Sequence, residues 1–237
     1  MNGDHNLWRK GYPYEASAHI PLLFKRPFQQ QQAVTSNALV EVRDVAPTLY
    51  EAAGILDQVQ ARDPLMNGKS LWSLVVTNTN TTTTTPAQQQ HRHFRTWLDL
   101  EHSVVYAKRI HWNALVGYVH DNNNDDNNQD EKLYKYVYHV LDGREQLFCL
   151  TDDVYETYDL ALVPEWKEML LLWRHRLIRQ FESEQRGDDW VRNGQLVAGR
   201  APVVFGPHYP CPPAQGGGGN SRLEQKHQTA AQSATTA

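Results

Sequence analysis

Cysteine is scarce: Cys149 and Cys211 are the two in 237 residues, far apart and without CxxC spacing, which leaves no cysteine metal pattern and room for at most one disulfide. Cys149 reads as a strand residue beside Phe148, and Cys211 as a loop thiol among prolines. No apolar run nears the ~20 residues of a membrane span, and no apolar signal region opens the chain. That second absence leaves localisation open, because the opening residues read as the middle of a loop. The net charge is −4 and the Lys and Arg residues form no stripe, which argues against nucleic acid as a principal partner. There is no GxGxxG after a strand, no P-loop, no HExxH and no GxSxG. The eleven histidines are mostly single; His91 and His93 alternate, but they adjoin a Gln-rich stretch and read as solvated.

What is there begins with 40% apolar residues, enough for a core. Three stretches cannot join it. Gln29 to Gln32 is a glutamine run, 77–90 is almost wholly Thr, Asn and Gln, and 121–130 is Asn/Asp-rich. None has the apolar surface to offset an ordering cost of about 1–2 kcal/mol per residue, so all three are expected as disordered loop insertions. The tail from Pro212, with four consecutive glycines, reads likewise.

Between them the elements are legible. Ile20-Pro21-Leu22-Leu23-Phe24 is a continuous apolar run of the kind buried on both faces of a parallel sheet, and Val40-Glu41-Val42 is a second short strand. A helix follows: Asp44 can cap it, Pro47 sits in its first turn, Val45, Leu49 and Ala52 share a face, and Gly54 stops it. Leu71 and Leu74 pin a short helical turn after Gly68. From Phe94 the pattern changes to strands, at 94–100, 112–119, 132–141 and 145–150, rich in aromatic and β-branched residues, with Asp142-Gly143 predicting a two-residue hairpin turn. The product is an antiparallel sheet of about four strands. Pro164 then opens the longest helix, whose Trp166, Met169, Leu170, Trp173, Leu177 and Phe181 recur at three and four as a packing stripe, with Gly187 expected as its C′ residue.

The chemistry concentrates at the beginning. Gly3-Asp4-His5-Asn6-Leu7-Trp8-Arg9-Lys10-Gly11, then Tyr14-Glu15, then His19-Ile20-Pro21-Leu22, resembles the stretch of the sulfatases that follows their last metal-binding pair. Val42-Arg43-Asp44-Val45-Ala46-Pro47-Thr48-Leu49 with Ala53-Gly54-Ile55 is similar to the family's Pro-Thr-Leu helix, and Asn67-Gly68-Lys69-Ser70-Leu71 to its Asp-Gly-Lys-Ser-Leu. Glu145 to Asp153, through Glu156 to Asp159-Leu160-Ala161, resembles the family's Glu-Leu-Tyr-Asp-Leu segment and the Glu and Asn-Leu-Ala beyond it. Each motif alone is weak; their order and spacing over residues 3–187 are specific.

The resemblance implies an α/β fold: the C-terminal part of an alkaline-phosphatase-like α/β domain, followed by a small antiparallel sheet packed by a long helix. Residues 1–76 would be the remnant of the catalytic α/β domain, 77–90 a low-complexity insertion, 91–187 the sheet-plus-helix subdomain interrupted at 121–130, and 188–237 an extended, largely disordered tail. The implied activity is hydrolysis of sulfuric esters, of small-molecule or glycan kind, with a calcium-type divalent metal and a formylglycine made from Cys or Ser in Cys/Ser-x-Pro/Ala-x-Arg.

Lys10 matches the family lysine that contacts the sulfate, a role a compact ammonium suits; read from its residues alone, it is a solvated lysine before a glycine turn. His5 is either a pocket residue or a loop hydrogen-bonder. His102, after Glu101 at a strand end, either reaches the substrate mouth or belongs to an ordinary edge pair. Asp4 and His5 match the family's second Gly-Asp-His and not its metal pair, so no metal ligand is assigned in this chain. The nucleophile motif is missing: Cys149 is followed by Leu-Thr and Cys211 by Pro-Pro. The chain is therefore expected to be a fragment whose Met1 is an internal methionine of a longer parent, inactive alone. A phosphonate or phosphate ester hydrolase of the same superfamily, or a non-catalytic interaction module, are the alternatives.

Overall fold

The computed structural model describes residues 1–8, 10–25, 35–64, 66–75, 94–102, 111–120 and 131–200. All three expected insertions, the histidines 91 and 93, and Cys211 fall outside them. In chain order the elements are α1 (Glu15–Ala18), α2 (Val45–Ala52), α3 (Leu56–Arg62), α4 (Trp72–Val75), β1 (Trp97–His102), β2 (Trp112–His120), β3 (Glu131–His139), β4 (Glu145–Cys149), α5 (Lys167–Ser183), β5 (Val191–Arg192) and β6 (Gln195–Leu196). The residues gather into two compact units: Met1–His19 with Asp99–Val116 and the chain from Lys132, and Ile20–Leu98 with Gly117–Glu131.

The first unit carries the sheet chemistry. The four strands are ordered β1-β2-β3-β4, and β3 pairs antiparallel with β4 in the register Tyr136↔Leu147. Residues 134–138 of β3 are buried without interruption, so this strand is covered on both faces. Trp112, Ala114 and Val137 form a core cluster with Leu100 against it. Helix α5 turns Trp173, Leu177, Ile178 and Phe181 inward, three- and four-residue spacing at work. It meets the sheet where Arg174 donates to Glu145 at 2.7 Å, and just before α5 Trp166 lies 5.9 Å from the Tyr134 ring.

Three local expectations for this unit are corrected. The β3–β4 connection is four residues, Val140 to Gly143, because His139 N–H donates to the Arg144 carbonyl and closes the loop one pair beyond Tyr138↔Glu145. The left-handed residue ending α5 is Gln185, not Gly187: Arg186 N–H reaches the Phe181 carbonyl and Gln185 N–H the Glu182 carbonyl, a Schellman closure. Residues 188–200 are not extended. Asn193-Gly194, both at positive φ, turn β5 onto β6, and Trp190 packs edge-on to Phe181 at 4.9 Å with the Arg186 and Arg200 guanidinium groups over its ring.

The second unit is built on Asp44. Its carboxylate does not cap α2; it accepts the Glu41 and Lys69 N–H groups and a bidentate Arg95. Burial pushes that carboxyl up, but Arg95 and the two N–H groups outweigh it and hold it below the usual aspartate value. Thr48 continues the network, taking the Leu71 N–H on its hydroxyl at 2.8 Å. Helix α2 spans the expected residues, yet it buries Pro47 and Thr48 and leaves Leu49 exposed. A Cβ on Gly68 would stand 2.0 Å from the Arg43 carbonyl oxygen, so this approach admits glycine only.

The expected strands at 20–24 and 40–42 do not form. Ile20, Leu22 and Leu23 are exposed, Leu23 at 91%, and Val42 opens the 3-10 turn Val42–Asp44. A strand closes its backbone hydrogen bonds only against a neighbouring strand, and among the described residues none pairs with these.

Candidate functional site

The opening segment folds as two linked turns within the first unit. Residues 2–8 close on themselves: Gly3 N–H reaches the Leu7 carbonyl, Asn2 and Trp8 form an antiparallel bridge, and Asp4 accepts the Asn2 N–H at 3.1 Å. That bond keeps the Asp4 carboxyl below its ordinary value. His5 and Asn6 sit at left-handed φ of 54° and 58°, which aims the His5 ring onto Tyr14, stacked at 4.0 Å. Tyr14 is fixed in turn, its hydroxyl donating to Gln146 at 3.2 Å and its ring edge-on to Phe148.

The second turn carries Lys10. The side chain is exposed, and the following residue, Gly11 at φ 103°, is clamped from two sides. Its N–H donates to the Ser17 hydroxyl at 3.0 Å, joined by the Tyr12 N–H, and its carbonyl accepts the Trp112 indole N–H at 2.9 Å. His102 stacks on Trp112 with its Nε2 only 3.0 Å from where a Gly11 Cβ would stand. The close approach and the positive φ both require glycine. An imidazole is thus brought against the peptide that follows Lys10, although 92 residues of sequence separate the two. Glu101 points to other business, accepting Arg186 at 2.6 Å.

Lys10 and His102 are therefore gathered at one turn, and His5 is carried by Tyr14 in the same segment. Residues that sequence reading passed over complete the support. Lys135, on β3, is fully buried with its ammonium 2.6 Å from Glu15 and 2.8 Å from Glu156. Glu156, at φ 56°, also accepts the Glu15 N–H at 2.6 Å. Burial raises the Glu156 carboxyl above its ordinary value, against the pull of Lys135. A lysine alternating with tyrosines in an otherwise buried strand was the available signal, since a buried ammonium must find carboxylates. Its partners, 120 residues back and 21 ahead, stand in the Tyr14-Glu15 and Glu156 motifs, but nothing in those motifs points to Lys135.

No group of three or more His, Cys, Asp or Glu among the described residues is placed to hold a metal ion. Cys149 is buried, donates to Asp152 at 3.3 Å, and has its thiol pushed up by burial. Elsewhere in this unit a cavity of about 420 Å³ is lined by Tyr138, Glu145, Arg174 and Ile178, but Arg174 and Glu145 neutralise each other there. Among the described residues no helix is long and apolar enough to cross a membrane.

The family model for the C-terminal region of N-sulphoglucosamine sulphohydrolase matches residues 3–172, well over half of the chain. The chain belongs to the sulfatase family. It is also 28% identical, over 193 residues, to an arylsulfatase from Clostridium perfringens, a match that takes in 79% of this chain and 32% of the relative. The chain thus spans about a third of the length of that relative. As a sulfatase chain it has the fold class that its motifs pointed to, the C-terminal part of an alkaline-phosphatase-like α/β domain followed by a small sheet and a long packing helix. The matched region contains the Lys10 turn, β1 to β4 and the start of α5.

Proposed function

We propose that this chain is the part of a sulfuric ester hydrolase that contacts the sulfate group, with Lys10 as the anion-binding cation. The observation that carries the reading is the turn at Gly11, where the exposed Lys10 directly precedes a clamped glycine peptide that the His102 ring packs against. The ammonium would sit against sulfate oxygens and stabilise the charge that grows on them as the S–O bond breaks. His102 would add an imidazole N–H, and the His5–Tyr14 stack would form an aromatic wall for the organic part of a small-molecule or glycan sulfate ester.

The formylglycine and calcium-type ion of the family do not fit the residues described here. Among the described residues no donor cluster suits a hard cation, which wants six or more oxygens, and Cys149 lies in the wrong motif with its thiol raised by burial. No step is routed through either. On this reading the chain by itself binds the ester without cleaving it.

The test is titration of the purified chain with an aryl sulfate, alongside a turnover assay. The expected results are no turnover, and binding that weakens about tenfold in Lys10→Ala, equivalent to ~1.4 kcal/mol, while Lys25→Ala leaves it unchanged. Turnover abolished by Lys10→Ala would overturn the inactive-fragment reading. Equal binding by Lys10→Ala would remove the role of Lys10, and tighter binding of the matching aryl phosphonate would move the assignment to the phosphonate hydrolases.

A further inference from the structure

The reading of Lys10 leaves open what holds its turn in shape. Helix α1 is four residues long, a single turn that cannot sustain itself, because nucleation costs more than one turn returns. Yet Ser17, inside it, is the acceptor for both the Gly11 and Tyr12 N–H groups. Whatever fixes α1 therefore fixes Lys10. The fixing contact is at its first residue: the Glu15 side chain meets the Lys135 ammonium, and the Glu15 N–H meets the second oxygen of Glu156. The other Glu15 oxygen is taken by His19 at 2.9 Å.

We propose that Lys135, Glu15 and Glu156 form a buried positioning node that orients the anion-binding turn at Lys10 through α1 and Ser17. The proposal rests on the sulfate-binding reading of Lys10 and deepens it. Stability alone gives little reason for such a node, since a buried ion pair is often replaceable by apolar residues of similar volume without loss. What an apolar replacement cannot do is bond a specific backbone N–H. Glu156 does that at Glu15, and only while Lys135 balances its charge: the Glu156 side chain is 1% exposed and that of Lys135 0%, with Glu15, at 22%, on the solvent side of the pair. The node thus converts the rigidity of the β3–β4 pair, where Lys135 faces Phe148 across the ladder, into a set direction for a loop that has no regular structure of its own.

The experiment measures amide hydrogen exchange at Gly11 and Tyr12 in the full chain, with the His139 and Leu150 amides, which bond the Arg144 and Leu133 carbonyls across β3 and β4, as sheet controls, and aryl sulfate affinity in the same samples. In Lys135→Met and in Glu156→Gln the Gly11 and Tyr12 amides are expected to exchange at least tenfold faster while His139 and Leu150 keep their rates, and affinity to fall toward that of Lys10→Ala. Ser17→Ala, which cuts the relay beyond an intact node, should give the same pair of changes and keeps the test alive if Lys135→Met fails to fold. Wild-type rates at Gly11 and Tyr12 in Glu156→Gln, rates that rise only in step with the sheet controls, or amides already unprotected in the wild type each overturn the node. The exchange arm decides this whether or not the ester binds: faster local exchange in a chain that binds no aryl sulfate would refute the reading of Lys10 and leave the positioning intact.

Discussion

Asp44→Asn is the substitution that most directly tests how the second unit is held. The wild-type carboxylate is fully buried and accepts four donors: Arg95 at 2.7 and 2.8 Å, Lys69 N–H at 2.8 Å and Glu41 N–H at 2.9 Å. Asparagine keeps the shape and one acceptor oxygen but turns an amine toward N–H groups that need an acceptor. Removing one partner of a buried ion pair costs about 3–5 kcal/mol. Here the lower end applies, because Arg95 retains Glu41 at 3.1 Å and the Leu39 carbonyl at 3.2 Å. A loss of about 3 kcal/mol corresponds to roughly a hundredfold in an opening equilibrium.

The assay is hydrogen exchange at the Lys69 and Leu71 amides, which bond Asp44 and Thr48 and so report this unit without interference from the other. The sign with pH follows from the lowered Asp44 value. A depressed carboxyl contributes stability above its unfolded pKa and loses it as pH falls through the folded one, so the wild-type advantage should persist from pH 7 to about pH 4 and shrink only below the ordinary aspartate value of 3.8. An exchange difference under tenfold at pH 7, or one already gone at pH 5, would refute the reasoning. So would simple additivity of Asp44→Asn and Arg95→Met, since partners in one network must couple.

Two further outcomes follow from the first unit. Trp173 is fully buried, with the Arg176 guanidinium 4.4 Å above its ring, and Trp173→Ala should cost on the order of 3–5 kcal/mol; an unchanged thermal melt would end the packing account of α5. His111 is buried, and its pKa is lowered to about 4 by burial first and by the neighbouring Arg200 and His102 second. A lowered histidine makes the unfolded state bind the proton first, so stability should fall by up to about 3 kcal/mol as pH drops from 6.5 to 4. The His111→Asn chain should lack that part of the slope, and identical pH dependence in urea unfolding would count against it.

The parts of the fold that were legible in the sequence are those whose signal is local. Strands β1 to β4 announce themselves by aromatic and β-branched runs, and α5 by its three-four stripe, because each packs side chains against a partner of the same chain. The apolar run at 20–24 carried an equally strong local signal and still failed, since apolar composition specifies a wish for burial and not the presence of a neighbour to supply it. Turn chemistry erred for a related reason. Asp142-Gly143 is a good two-residue turn, but Val140 is itself buried, with its N–H on the His111 carbonyl and its carbonyl on the Gly199 N–H, so neither group is left for β4 and the loop runs to four residues.

The turn at Lys10 was legible in the sequence and its supports were not, and physical chemistry accounts for the asymmetry. An exposed lysine on a constrained turn needs only a glycine beside it, and Lys10 before Gly11 carries that constraint in two adjacent letters. The residues that constrain it must be buried, and a buried polar group is defined by its partner. Ser17 reads as an ordinary small residue until Gly11 and Tyr12 are found on its hydroxyl, Trp112 as one more core aromatic until its indole N–H is found on the Gly11 carbonyl, and Lys135 as a surface position of an alternating strand until two carboxylates close on it. Both units repeat the pattern, with Asp44–Arg95 in one and Lys135–Glu156 in the other. In each, a charge that would be costly alone holds the backbone of a segment too short to hold itself.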